Sequence, residues 1–558
     1  MRSALLLSLS LAACAPAADA PSRQITDNAP IRAYPRSDYV EHEPGRPGGR
    51  IRISTASDTG TLDIQTIAAT TPKWIGRLIF DNLVYLDERG NITPWLARSW
   101  TVSPDGLTYT FHLRPDVTFS DGTPFDAAAV KANLDRIVSP DTKTAMTAAY
   151  IAPYAQGRVI DRYTFEARLS EPYTPFLNVL AQSWLGMVSP RALAGSSAKL
   201  AERPVGTGPF VVSSYRRQKG IRLDRRADYH WAPDFIGHRG PAYAAGVDID
   251  FLPEGLIRTA SLAAGQYDLN IDAPPQDVAQ IERNPDLLLA SRINLGNPTR
   301  AITFNTQRAP FDDVRVRRAL ALAMDRDGIT VAVGFGAYRP TTRFLSSTTQ
   351  YVATGPQQPS LARDPAAANQ LLDEAGWTGR NAQGYRTRNG EELGAAILVT
   401  EAMQPGPVIV ALQADARRIG FRLTIRQLTA PQLTARRNVG DYQALGPGYW
   451  HTNTPDGLYI VYQGRQIIRP DFIGQNTARV ADPRLDALLL AARHTRDPAQ
   501  LAKLYAQAQT RLAEIVPAVP LYENHTLLAY RRTLRGLIFD TSHNVPFLTT
   551  AWLAESRS

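Results

Sequence analysis

The chain has a single cysteine, Cys14, among 558 residues. That excludes an intrachain disulfide and any site built from several thiolates. No apolar run reaches the length that spans a bilayer; stretches such as Ala4–Leu7, Ala319–Met324 and Ala487–Ala492 are only a few residues long. The signatures of common hydrolases are absent too: there is no His-Glu-x-x-His, no Gly-x-Ser-x-Gly and no catalytic-type cysteine. Ser196-Ser197-Ala198-Lys199 matches Ser-x-x-Lys, but the motifs that accompany it in penicillin-binding enzymes are missing. The eight histidines (42, 112, 230, 238, 451, 494, 525, 543) show no metal-ligand spacing. Lysine is scarce and arginine is scattered, so the net charge of +9 forms no dense basic run. The charge therefore reads as a solvated surface with a mild bias toward anionic surfaces or ligands, and nucleic acid is not expected as a partner. No catalytic residues, no metal site and no cofactor are expected.

What is present begins with an address. Met1-Arg2-Ser3 and the apolar stretch that follows form a short signal-peptide core. It runs into Leu11-Ala12-Ala13-Cys14, which resembles the bacterial lipobox, where the cysteine is lipidated and becomes the first mature residue. The alternative is an ordinary signal peptide with a stray cysteine. On the first reading residues 1–13 are a signal peptide, and 14–49, rich in Pro, Ala, Arg and Gly, are a lipidated tether. A hydrophobic content of 44% with 20% charged residues fits a globular body of two or three domains after it.

The most informative stretch runs from Ile92 to Ile137. Asp105-Gly106 supplies a tight turn. After it Leu107, Tyr109, Phe111 and Leu113 alternate with Thr108, Thr110 and His112, the period of a half-buried strand. Asp121-Gly122 marks a second turn. Asp126 is placed to cap a helix with Val130, Leu134 and Ile137 on one stripe. As a string, Pro94-x-Leu96-Ala97-x-Ser99-Trp100, Asp105-Gly106 to Arg114, and Phe119-x-Asp121-Gly122-x-Pro124-Phe125 to Val130 resembles the signature of the family-5 extracellular solute-binding proteins, the receptors of peptide and nickel ABC importers. Further stretches are similar to that family: Val205-Gly206-Thr207-Gly208-Pro209-Phe210, Pro310-Phe311-Asp312-Asp313 through Asp325-Arg326, and Ala368-x-x-Leu371-Leu372-x-x-Ala375-Gly376-Trp377.

Periodicity fills in the rest. A helix opens at Thr71-Pro72 and ends near Leu86; Trp184–Pro190 resembles the family's strand that ends this region; Asp268–Ile271 and Ala301–Asn305 read as paired strands. The Gly-Thr-Gly of 206–208 lacks the Lys and the helix of a phosphate loop, so it reads as a crossover of unusual backbone conformation. Arg315, Arg317, Arg318 and Arg326 read as the solvated face of a helix. Strand 397–400, helix 408–419 and strand 421–425 form an α/β unit, and a late helix covers 501–515.

The resemblance implies a bilobal α/β fold of the type II (cluster C) periplasmic binding kind with an extra inserted domain. Lobe I would comprise 50–79, 205–297 and 520–558, the inserted domain 80–204, and lobe II 298–519. It also implies a non-enzymatic, periplasmic, lipid-anchored receptor that captures a peptide or peptide-like solute between lobes and delivers it to an ABC permease and ATPase complex. Readings left open are a nickel-chelate or opine receptor, and a sensory or chaperone-like binder without a transporter. Aromatics on loops after strands are the expected ligand contacts: Trp184, Tyr449 and Trp450, with His451 and Asn453 beside them. In dipeptide receptors of the family an acid holds the peptide amine; His451 takes that place here. Their arginine for the peptide carboxylate has no match in Thr400–Gly406, nor has the Arg/Trp pair of the nickel receptors around 143–150.

Overall fold

The structure is a computed structural model that describes residues 45–66, 70–87, 89–142, 145–295, 300–355, 359–400, 406–448, 452–469, 472, 474–523, 525–542 and 544–554. Cys14 and most of the expected tether lie outside these residues.

The signature stretch folds as its pattern requires. Asp105 accepts a hydrogen bond from Leu107 N at 3.0 Å, and Gly106 takes φ +73 in the turn between strands Ala97–Val102 and Thr108–Leu113. Tyr109, Phe111 and Leu113 are buried while Thr108, Thr110 and His112 remain half-buried. With Thr164–Leu169 and Tyr154–Asp161 the hairpin makes a four-stranded antiparallel sheet. Asp126 caps the helix Ala127–Val138 through Ala129 N at 3.0 Å, and Val130, Leu134 and Ile137 are buried against the sheet.

Two larger sheets organise the rest. A seven-stranded sheet runs in the order Leu287–Ile293, His525–Arg531, Leu269–Asn270, Arg50–Thr55, Gly246–Phe251, Gly220–Arg225, Phe210–Arg216. Arg50–Thr55 pairs in parallel with both of its neighbours, which sequence-adjacent strands joined by tight turns cannot do. A five-stranded sheet runs Arg422–Gln427, Gly394–Val399, Ala444–Gly448, Arg300–Phe304, Ala518–Tyr522. The helix Gly406–Arg418 carries the chain between the parallel strands Gly394–Val399 and Arg422–Gln427. One hydrophobic core joins the seven- and four-stranded sheets, and a second lies within 301–522. The fold is thus mixed α/β and bilobal.

Several expectations are corrected. Leu269–Asn270 and Arg300–Phe304 do not pair; they belong to different sheets, because an apolar run states that a strand is buried but not beside what. The first helix stops at Ile79, and Val84–Leu86 is a separate strand paired with Ile92–Pro94. Ile79 O accepts from Gly208 N at 2.8 Å, so a chain segment remote in sequence takes this helix-end carbonyl. Gly206 and Gly208 do not have positive φ; they are small because Ile79 approaches them, and a Cβ on Gly206 would sit 2.1 Å from Ile79 O. Trp184–Pro190 forms a 3-10 turn over Ser183–Leu185 and one isolated bridge, Val188 with Gly206, rather than a strand.

The arginine face is the largest correction. Arg315 is exposed, but Arg317 and Arg326 are buried. Arg317 donates to Ile515 O (2.6 Å), Val516 O (3.1 Å) and Phe311 O (2.7 Å), and Arg318 to Ala513 O (2.6 Å). All but Phe311 O are carbonyls at the end of the helix Pro498–Ile515, where unsatisfied acceptors and the negative dipole end favour a cation. Arg326 does the same for Pro520 O at 2.7 Å.

Candidate functional site

The helix Thr70–Ile79 and the turn Ser183–Leu185 pack against each other within the first core, and a seam of buried polar contacts joins that core to the segment 452–494. Lys73 and Arg77 lie one turn apart on that helix, hence on one face. Arg77 is fully buried and pairs with Asp540 at 2.8 Å. It also donates to Asn82 Oδ1 (2.6 Å) and Ala181 O (3.0 Å). Asn82 in turn donates to Leu180 O and Gln182 O. On the far side of Asp540, Ser542 N donates to the carboxylate at 2.7 Å, and Asn453 Nδ2 reaches Ser542 Oγ (3.2 Å) and Asn178 O (2.6 Å). One buried network thus ties together the 450s, the C-terminal return and the segment 178–182.

Lys73 differs from Arg77. It is 2% exposed, yet among the described residues its ammonium has no carboxylate within ion-pair distance and no hydrogen bond. Burial lowers its pKa to about 8, with Asp540 and Asp272 acting weakly in the opposite sense. Its nearest described aromatic is Trp184, whose ring centroid lies 6.0 Å from the ammonium. Trp184 is stacked on Tyr150, centroids 6.1 Å apart.

Along the same seam, polar atoms are buried without partners among the described residues. Gln182 is fully buried and neither amide atom is hydrogen-bonded; Ser183 Oγ, Thr452 Oγ1 and Asn453 Oδ1 are likewise unmatched. Orphaned buried polar atoms cost free energy on the order of 1–3 kcal/mol each and are tolerated chiefly where function uses them.

A second network crosses the same seam. Arg493 grips Asp456 through two bonds, 2.7 and 2.8 Å, and both side chains are almost completely buried. Tyr173 donates its hydroxyl to Asp456 Oδ2 at 3.0 Å, and Thr174 N donates to Arg493 O at 2.8 Å. The guanidinium lies 3.4 Å from the centroid of the Tyr459 ring and 4.7 Å from that of Tyr173. Burial opposes the Arg493 charge, but Asp456 more than offsets it and holds the guanidinium above its ordinary value. The same burial, joined by the Asp456 charge, pushes the Tyr173 hydroxyl well above 10, so it remains a donor.

This arrangement carries no nucleophile–base pair. Among the described residues no group of three or more His, Cys, Asp or Glu could hold a metal ion, and no helix is long and apolar enough to cross a membrane. Ser196 of the Ser-x-x-Lys string caps the helix Ser197–Glu202 through Lys199 N at 3.2 Å. The seam thus brings together one buried ammonium, hydrogen-bonding groups without partners and buried aromatic rings.

The sequence profile of the bacterial extracellular solute-binding proteins, family 5 (middle), matches residues 91–466, more than half of the chain. The chain belongs to this family. Among curated family-5 relatives, the glutathione-binding protein of Salmonella paratyphi A is 28% identical over 492 residues, covering 87% of this chain and 91% of the relative. That of Escherichia coli O157:H7 is 28% identical over 494 residues with the same coverage. Solved structures of similar shape include the oligopeptide-binding protein AppA of Bacillus subtilis with a nonapeptide (21% identity, TM-score 0.78, 92% of this chain and 100% of that one). NikA of Brucella suis with Fe(III)-EDTA is another (23% identity, TM-score 0.79, 90% and 100%). The architecture derived from the two sheets is therefore that of the family-5 receptors.

Of the residues singled out from the sequence, the structure brings Trp184 and Asn453 to the seam. Tyr449, Trp450 and His451 lie outside the described residues, immediately before Thr452. Sequence reasoning missed Lys73, Gln182, Tyr173 and the Asp456–Arg493 pair. A lysine in the first turn of an amphipathic helix reads as solvated, and only its tertiary neighbours reveal that it is enclosed.

Proposed function

We propose that this chain is the extracytoplasmic receptor of an ABC importer, binding a peptide or peptide-like solute between its lobes and turning nothing over. The observation that carries the reading is the set of unmatched buried polar atoms on Gln182, Ser183, Thr452 and Asn453, with the buried Lys73 ammonium, in a chain of the solute-binding family. Glutathione-binding and peptide-bound relatives support the class of ligand. Trp184, Tyr449, Trp450, His451 and Asn453 line the ligand in this reading. Lobe I comprises 50–79, 205–297 and 520–558, the inserted domain 80–204 and lobe II 298–519, with Ala518–Tyr522 contributing the edge strand of the lobe II sheet. Cys14 carries the lipid that holds the receptor at the periplasmic membrane, where the permease and its ATPase are its partners. The seam contacts form on capture, closing the cleft.

The test is a thermal-shift screen of glutathione, di- to nonapeptides, opines and metal chelates. A true ligand at a hundredfold excess over Kd adds about 2.7 kcal/mol of stability. Hydrolysis of a bound peptide, or stabilisation by none of these solutes, rejects the reading. A second reading, an opine or metal-chelate receptor, is favoured by the unpaired Lys73 cation and by similar structures holding agropinic acid and Fe(III)-EDTA. The same screen separates the two.

A further inference from the structure

Lys73 is out of keeping with the rest of the protein's buried charge. Arg77 has Asp540, Arg493 has Asp456, and Arg317 and Arg326 have ordered carbonyls. Lys73 is as deeply buried as these, at 2% exposure, and among the described residues it has neither an acid within ion-pair distance nor a hydrogen bond. The two carboxylates that act on it are committed elsewhere: Asp540 to Arg77, and Asp272 to Thr55 Oγ1 (2.6 Å) and Ala56 N (2.9 Å). An ammonium enclosed in this way costs several kcal/mol unless something compensates it. The surroundings identify the missing compensator. Trp184 stands beside the ammonium, and Gln182, two residues earlier, offers an amide with two free donors and a free acceptor. Ser183 Oγ, on the same turn, is a further buried hydroxyl that is unmatched. A cation, free N–H and O–H donors and an aromatic wall at one place are what a carboxylate at the end of a peptide-like chain requires.

We propose that Lys73, assisted by Gln182 and Ser183, is the seat for a carboxylate of the captured solute, so that the receptor selects anionic peptides. This rests on the peptide reading above and deepens it. It also accounts for the absence of an arginine in 400–406: the carboxylate is held from the first helix of lobe I instead. The ligand's negative charge restores full protonation of Lys73, whose ammonium burial otherwise weakens to a pKa of about 8.

The experiment uses the mature chain and a defined probe mixture, a casein digest of short peptides. One half is untreated; the other is methyl-esterified so that every carboxylate is neutral. The receptor is incubated with each half and desalted, and the retained peptides are identified by mass spectrometry. Synthetic copies of the retained peptides, with the C-terminus amidated or with acidic side chains replaced, then tell a terminal carboxylate from a side-chain one. The expected result is capture from the untreated half only, with affinity on the order of tenfold to a hundredfold weaker in Lys73→Met and largely kept in Lys73→Arg. Because methionine fills the same slot without a charge, ligand-free Lys73→Met should melt at or above the wild-type temperature at pH 7. A lysine needed only for structure would give the reverse. Equal capture from both halves, or undiminished affinity in a folded Lys73→Met, overturns the inference and leaves the peptide reading standing. Capture from neither half overturns the peptide reading, and the inference falls with it.

Discussion

Replacing Tyr173 with phenylalanine tests whether the seam contacts belong to the ligand-bound state. The ring is fully buried and packs beside the Arg493 guanidinium at 4.7 Å, contacts that phenylalanine keeps. Only the hydroxyl is lost, and with it the 3.0 Å bond to Asp456 Oδ2. A hydrogen bond to a charged group contributes about 1.5–3 kcal/mol. Because Arg493 continues to hold both carboxylate oxygens at 2.7 and 2.8 Å, the loss should fall near the lower end, about 2 kcal/mol. The bond links the segment 80–204 to the segment 298–519, so it exists only while these are together. Its removal should lower the closed-to-open ratio roughly thirtyfold and weaken ligand affinity by a similar factor. Calorimetry measures the affinity. Small-angle scattering on the free and ligand-saturated protein measures the closure. Wild-type affinity together with unchanged scattering in both states would refute the argument, showing that the seam is fixed whether or not ligand is bound.

Arg317→Met should cost about 3 kcal/mol in urea unfolding, since it strips the donors from Ile515 O, Val516 O and Phe311 O while leaving them buried. An effect below 1 kcal/mol would show that the helix end is satisfied in another way. His525 has its pKa lowered to about 4 by burial, so it is neutral when folded but binds a proton near pH 6.5 when unfolded. Stability should therefore fall as pH drops from 6.5 toward 4, by about 3 kcal/mol over that window, and His525→Phe should flatten the dependence. A wild-type profile that is flat there contradicts the assignment. Trp450→Ala is expected to cost on the order of 1–3 kcal/mol of ligand binding by calorimetry, whereas His451→Asp should improve the binding of simple dipeptides by supplying a counter-charge for their amine. Indifference to Trp450→Ala would place that loop away from the ligand.

Local chemistry was legible in the chain itself. The Asp105-Gly106 turn, the alternation from Tyr109 to Leu113, the Asp126 cap and the 394–427 strand–helix–strand unit follow from spacings of a few residues, and the structure has each of them. So does family membership, because the signature string depends on residue identity and not on folding. Of the residues chosen from the sequence, Trp184 and Asn453 reach the seam, though the aromatic was placed on a strand that is a 3-10 turn. What tertiary structure alone decided are the relations between distant segments. Whether Leu269–Asn270 pairs with Arg50–Thr55 or with Arg300–Phe304 is not encoded in either run, since any buried strand edge satisfies the same backbone donors. Gly206 and Gly208 are required by the approach of Ile79, which lies more than a hundred residues away. The arginines of 315–326 have a helical period that reads as solvated, yet carbonyls draw two of them inside, Arg317 to the end of the helix Pro498–Ile515 and Arg326 to Pro520 O in the strand after it. Lys73 shows the same limit most sharply. A lysine's sequence context states its charge, but whether water, an acid or a ligand answers that charge depends on what the folded chain places around it.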